Sequence, residues 1–428
     1  MADGTAPQCG RVGSCHISFK SLRASARRLF SFTPPSPRLP KGLFPPQRAG
    51  DVTSPKIPYL AGMVFIHELV NSLEQFAPTA LQEAYDNCGL LTGTPHTACT
   101  GVLTTLDVTV DVLREAKENG CNLVVAHHPI IFGGLKSITG KNYVEQVIME
   151  AIKNDIAIYA AHTNMDNVLL GVNGKMSEKL GLTNTAVLSP KQKILRRLIT
   201  FAPNNKANEV RDAVFAAGAG HIGQYSDCSF NSKGVGTFKA EKGADPYVGE
   251  IGKLHEEEET KIEIVYPFYL EQQVVKALIE NHPYEEVAYD IFTMENVHWG
   301  IGSGVIGELP FPMEENDFLK QIKDTFQCGA VRHTPLTGKK VKKVALCGGA
   351  GAFLIKKALS DGADFYITAD VKYHEFFDAE GKMVIADIGH YESEQYTVEL
   401  LHDLIAKKFP TFAVLKTSIN TNPIQYFV

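Results

Sequence analysis

The feature that most narrows the fold is an alternation. Three short apolar runs, at 101–108, 123–126 and 156–160, are separated by segments of helical periodicity at 110–119 and 144–153. Runs this short and partly β-branched suit buried strands, and helices between consecutive strands impose parallel pairing with both sheet faces covered. The expected class is therefore α/β, a mostly parallel sheet layered with helices. In such sheets functional groups gather at the carboxyl ends of the strands.

Two of those ends carry metal-ligating residue types. The run at 123–126 ends in His127-His128-Pro129, where Pro129 has no N–H to continue a ladder. Adjacent side chains diverge along a strand, so at its end the two histidines can flank one pocket and serve two different ions. The next strand ends in Ala161-His162-Thr163-Asn164-Met165-Asp166, which brings Asp166 to the same edge.

Before this unit, Met63 opens an amphipathic helix with Ile66, Leu69, Val70 and Leu73 on one face and Pro78 beyond its end. Residues 1–62 differ in kind. They hold nine Lys or Arg against two Asp, a local charge of +7 that leaves about −13 for the rest of a chain whose net charge is −6. An Arg/Ser/Pro-rich segment of this composition is expected to be disordered, either a transit peptide or an extension ahead of a start at Met63. The acidic body argues against generic nucleic-acid binding. No apolar run approaches the roughly 20 residues that span a bilayer. Eight scattered cysteines without a C-x-x-C pair suit reduced thiols and a cytoplasmic location, or an organellar one if 1–62 is a transit peptide.

From about 192 the order becomes strand, helix, strand pair, helix, strand, with the strands at 193–202, 223–239 (a hairpin-like region marked by Gly234 and Gly236), 261–267 and 286–293. This is the order of a ferredoxin-like α+β domain, inserted over 192–296 between the halves 63–191 and 297–428. The acidic run at 255–259 and the segment at 282–286 read as a solvated charge face and a loop.

The α/β pattern then resumes. Strand 341–347 runs into Gly348-Gly349-Ala350-Gly351, a loop that could hold an anion on backbone N–H groups but matches no phosphate-binding fingerprint. Strand 383–387 delivers His390 and Glu394. Their spacing of four puts both on one face of a helical turn. Strand ends thus supply His127, His128, Asp166, His390 and Glu394, three imidazoles and two carboxylates. A carboxylate can bridge two cations, so the set suits a dinuclear centre with open positions, and Glu394 is the candidate bridge. The absence of cysteine ligands favours Zn, Mn, Fe or Ni. His162, Asp86 and His374 are candidate proton carriers or supporting groups.

These residues resemble the GTP cyclohydrolase I type 2-like family, also called Ngg-interacting-factor-three-like. The resemblance rests on Asp86-Asn87-Cys88-Gly89-Leu90, His127-His128-Pro129, His162 with Asp166, the glycines from Gly348 to Gly351, Asp370 to His374, His390 with Glu394, and Thr421-Asn422-Pro423. Tyr85 replaces the usual Trp and Ala369 the usual Gly, and neither change removes a ligand. The resemblance implies a two-metal site on the same five residues, a toroidal homohexamer, and a PII- or CutA-like identity for the insert. Two functions follow as expectations: a metal-dependent hydrolase of a nucleotide or phosphorylated small molecule, or a non-catalytic metal-handling or regulatory protein. The sequence shows no guanine pocket.

Overall fold

A computed structural model describes residues 63–427. The expectation for 1–62 lies outside the described residues. The chain opens with α1 (Ile66–Phe76), then β1 (Gly89–Thr92), β2 (Val102–Thr105), α2 (Val110–Glu118), β3 (Leu123–Ala126), α3 (Tyr143–Lys153), β4 (Ala157–Ala160), α4 (Thr163–Asp166), α5 (Val172–Leu180) and β5 (Thr183–Pro190). Local chemistry sets these boundaries. Thr109 Oγ1 accepts the Val112 N–H at the start of α2, and Asn142 Oδ1 accepts the Glu145 N–H at the start of α3. Gly181, left-handed at φ +69°, ends α5.

The middle segment comprises β6 (Leu195–Pro203), α6 (Ala207–Ala216), β7 (Ser229–Lys239), β8 (Leu254–Pro267), α7 (Glu271–Asn281) and β9 (Tyr289–Thr293). Its four strands form one antiparallel sheet in the order β7-β8-β6-β9. Leu198, Ile262, Ile264 and Tyr266 pack against Val210, Val214, Val274 and Leu278 of the two helices.

The chain continues with β10 (Gly302–Met313), α8 (Glu315–Thr325), β11 (Arg332–His333), β12 (Val341–Ala350), α9 (Ile355–Ser360), β13 (Phe365–Ala369), β14 (Val384–Asp387), α10 (His390–Glu394), α11 (Thr397–Lys408) and β15 (Val414–Lys416).

The α/β class holds, with two differences from the expected single, mostly parallel sheet. The two halves build separate sheets. One has the order β1-β4-β3-β2-β15 and is parallel except at β1; the other has the order β11-β14-β13-β12-β10-β5 and is parallel only across β12-β13-β14. The halves also exchange edges, since β5 joins the second sheet and β15 the first. Strand and helix alternation identifies parallel neighbours but carries no information on which sheet an edge strand joins.

Three local expectations are also corrected. Residues 223–239 hold no strand hairpin. Ser229–Lys239 is one strand, and at Gly236 the Glu259 carboxylate lies over the backbone, 2.2 Å from where a Cβ would stand. The strand expected at 261–267 begins at Leu254, so the acidic run at 255–259 is part of β8. Gly348, Gly349 and Ala350 are the end of β12, so no anion-cradling loop forms there.

In the first sheet β3 is central. Leu123 and Val125 pack to one side with α1 and α11, while Val124 and Ala126 pack to the other with α2 and α3. Each of its larger apolar side chains contributes roughly 1.5–3 kcal/mol by burial. The histidines that follow therefore extend from a fixed support.

Candidate metal centre

The ladder of β3 runs two residues past its end: His127 N–H donates to Thr105 O (3.2 Å) and His128 N–H to Leu106 O (2.9 Å) before Pro129 closes it. His127 is fully buried, and its Nδ1–H donates to Ala161 O at 2.8 Å, which turns the bare Nε2 inward. Asp166 is carried by the short helix after β4, and its Oδ1 lies 3.8 Å from His127 Nε2. Both atoms are buried without a hydrogen-bond partner. An unsatisfied buried polar atom costs about 1–3 kcal/mol, and two facing each other at this distance mark a place where a cation would complete the structure.

Glu394, on α10 and 3 % exposed, links the two sheets. Its Oε1 is 3.7 Å from His127 Nε2, while its Oε2 is 2.9 Å from His128 Nε2 and 3.1 Å from His390 Nε2. The four imidazoles are closely packed: His127 and His128 centroids are 4.9 Å apart, His128 and His390 5.3 Å, and His127 and His162 5.2 Å. The donor atoms fall into three groups able to hold an ion, His127 with Asp166 and Glu394, His128 with His390 and Glu394, and His127 with His128 and His162.

Every one of these imidazoles has its Nδ1 held. His128 Nδ1 pairs with Asp107 Oδ1 (2.7 Å), His162 Nδ1 with Asp86 Oδ1 (2.8 Å), and His390 Nδ1 with Asp370 Oδ2 (2.6 Å). Carboxylates accept only, so each Nδ1 donates and each Nε2 is the ring atom that a cation or a proton would take. This is the support that metal-ligating histidines characteristically have. Asp86 is itself fixed by the Thr163 N–H (3.0 Å), the Thr163 hydroxyl and the Asn87 N–H (2.7 Å).

The electrostatics are those of a site built around positive charge. Burial raises Asp166 well above the ordinary carboxyl range, reinforced by the charge of Glu394. Burial acts on Glu394 in the same direction, yet the imidazoles of His127, His128 and His390 overcome it and hold the carboxyl well below its ordinary value. For His127 burial is the largest influence and pushes it below the ordinary imidazole value. For His128 and His390 burial is outweighed by their carboxylate partners, which lift them to about 10 and about 9.

The glycines ending β12 form one wall of the centre. Gly349 has φ +61°, and a Cβ on it would sit 2.4 Å from Glu394 Oε1 and 3.3 Å from His390 Cε1. Its N–H donates to Ser393 Oγ at 3.0 Å. The glycine run thus serves close approach to Glu394.

The structure brings together all five expected ligands, with His162 and Asp86 beside them. It does not bring in His374, which lies exposed on the turn after β13 against Tyr373 and Phe377 and outside the cavity lining. Sequence reasoning missed Asp107 and gave Asp370 no role. The signal was present, because both follow strands, β2 and β13, whose carboxyl ends face the centre.

The centre opens into a cavity of about 700 Å³ whose walls include His128, His162, Asp166, His390 and Glu394. Among the described residues, no helix is long and apolar enough to cross a membrane.

Comparison with known proteins places these residues in a family context. The family model described as Duf34/NIF3 (NGG1p interacting factor 3) matches residues 64–423. The "GTP cyclohydrolase 1 type 2 homolog" of Halalkalibacterium halodurans is 41 % identical over 364 residues, 84 % of this chain and 98 % of that protein. The protein of the same name from Bacillus subtilis is 39 % identical over 365 residues, 84 % of this chain and 98 % of that one. Among solved structures, the Bacillus cereus protein related to NIF3 superposes with a TM-score of 0.75 at 38 % identity, covering 85 % of this chain and 99 % of its own.

Proposed function

The chain belongs to the Duf34/NIF3 family, and from that premise we propose that it is a dinuclear metal-dependent hydrolase acting on a nucleotide or phosphorylated small molecule. The observation that carries this reading is the division of Glu394: Oε1 faces His127, whose Nε2 also has Asp166 as a neighbour, while Oε2 faces His128 and His390. Each set would hold one ion, Zn, Mn, Fe or Ni, and Glu394 would serve both. The orphaned His127 Nε2 and Asp166 Oδ1, the four carbonyl- or carboxylate-held Nδ1 atoms and the lack of thiolate ligands fit this assignment.

Two divalent ions held there would supply Lewis acidity, lowering the pKa of a water and drawing charge from a phosphoryl or carbonyl oxygen. The protein's own residues do the rest. Asp86 fixes the tautomer of His162, so His162 Nε2 is the group that takes the proton a reacting water loses. Asp107 and Asp370 hold the orientation of His128 and His390. Burial of His127 and Glu394 keeps bulk water from competing for their donor atoms.

The same reading takes the segment at 192–296 as a ferredoxin-like, PII- or CutA-like domain inserted between halves 63–191 and 297–428; its strand order β7-β8-β6-β9 supports this. It takes the protein as a cytoplasmic homohexamer. A non-catalytic metal-handling or regulatory role is the second reading, favoured by the inserted sheet with its own cavity, which lies apart from the candidate metal ligands. A panel of nucleotides and phosphoesters assayed with the metal-loaded full chain separates the two. Turnover lost in Glu394→Gln supports the hydrolase, and no turnover alongside full metal content supports the handling role.

A further inference from the structure

The cavity above the candidate metal centre has a mouth unlike its floor. Tyr85, Phe132, Tyr143 and Phe353 all line it and are between 56 % and 71 % exposed. They come from four separate parts of the chain: the turn before β1, the segment after Pro129, the first turn of α3 and the turn after β12. Large apolar rings this exposed cost hydration unless something covers them, and a cluster ringing a concave site marks a binding surface. Phe132 also packs edge-on to His162 at 5.7 Å, so the aromatic surface runs from the mouth toward the centre.

The charges add a second restriction. Among the described residues lining the cavity, none is Lys or Arg. Its carboxylates are Glu83, Asp107, Asp166 and Glu394, and Glu83 is already paired with Lys191 at 2.6 Å. Against the three others, with the Asp86 and Asp370 carboxylates held behind His162 and His390, two divalent ions leave no surplus of positive charge. That suits a neutral ligand or one phosphoryl group lying at the ions. A triphosphate tail extending away from them would meet no cationic side chain and would lie in a field made by carboxylates.

Resting on the dinuclear reading, we propose that the substrate is a flat heteroaromatic compound carrying at most one phosphoryl group, in class a nucleoside or nucleoside monophosphate, whose ring stacks on the Tyr85, Phe132 and Phe353 rim. Stacking on aromatic side chains tolerates different bases, because every base has a π face. The rim therefore selects for a planar ring, and the missing cations select against a polyphosphate. Tyr85 and Phe353 act here as specificity residues, without a part in holding the ions.

The test is isothermal titration of the metal-loaded full chain with guanosine, GMP and GTP and with adenosine, AMP and ATP. Metal content is read before and after each titration. Tyr85→Ala and Phe353→Ala are titrated in parallel, both being exposed enough that folding does not depend on them. The expected result is that nucleosides or monophosphates bind at least tenfold more tightly than the triphosphates. Each rim substitution should weaken ring binding roughly tenfold with metal content unchanged. Equal or tighter binding of the triphosphates overturns the proposal. So does ring binding unaffected by both substitutions, including the case in which they alter only the oligomeric mass seen by light scattering. Failure of the dinuclear reading would show separately, as a wild-type chain without its two ions in the elemental analysis.

Discussion

Gly349→Ala tests whether the glycine at the end of β12 exists for the sake of Glu394. The substitution has two costs that can be read apart. Gly349 has φ +61°, and a left-handed alanine costs about 1–2 kcal/mol in stability. The new Cβ would also sit 2.4 Å from Glu394 Oε1, where ordinary contact begins at 3.4 Å, so the carboxylate must move by about 1 Å. Disturbing the support of a ligand typically lowers metal affinity 10–100-fold, about 1.4–2.8 kcal/mol. Because Glu394 faces both donor sets, both ions should weaken. Gly362→Ala is the control: φ is +75° and nothing lies within 4 Å of its Cβ position, so only the backbone cost applies. Calorimetric unfolding should show similar losses of stability in the two metal-free variants, or a larger loss in Gly349→Ala. Competition with a chelator of known affinity should show weakened metal binding in Gly349→Ala alone. Equal metal affinities in the two variants would refute the role assigned to Gly349.

Two further outcomes are expected. Asp107→Asn keeps an acceptor for His128 Nδ1 but removes the charge, and should lower metal affinity 10–100-fold by chelator competition, with the fold unchanged by circular dichroism; unchanged affinity would mean that Asp107 does not orient His128. Glu399 bridges Lys175 and Lys179 at 2.8 Å each; burial opposes ionisation, but the two ammonium groups prevail and hold the carboxyl at about 2 instead of 4.5. Its folded pKa is depressed, so its contribution is complete above about pH 4.5 and is lost as the pH falls toward 2. The melting-temperature gap between wild type and Glu399→Gln should therefore close across that window, and a gap that stayed constant would contradict the pairing.

The parts of the site that were legible in the sequence are those where chemistry and chain position coincide. His127 and His128 stand at the end of a four-residue apolar strand, and His390 and Glu394 are spaced by one helical turn, so residue type and element together set their direction. Asp107 and Asp370 were passed over because an isolated acid after a strand looks like a turn residue. Only the fold shows that each stands 2.6–2.7 Å from a histidine Nδ1. His374 erred the other way. Its sequence neighbourhood pointed to the centre, but the 3-10 turn at Tyr373–Ala379 leaves it exposed among aromatic rings. At the level of the fold, the strand and helix order could be read, while the exchange of β5 and β15 between sheets could not. Edge pairing is decided by long-range packing, which leaves no periodic trace. The sequence places the start of this strand after the acidic run at 255–259, because four consecutive glutamates have low strand propensity. Pairing with eleven residues of β7 overrides that preference.

The central claim is that Glu394 joins two donor sets into a two-metal centre. The most direct measurement is anomalous diffraction from crystals of metal-loaded wild-type protein and of Glu394→Gln, with elemental analysis of the same samples. The expected result is two anomalous peaks per chain, one beside His127 and Asp166 and one beside His128 and His390, with Glu394 between them and occupancy at both reduced in Glu394→Gln. A single peak in the wild type, or two peaks undiminished in Glu394→Gln, would contradict it.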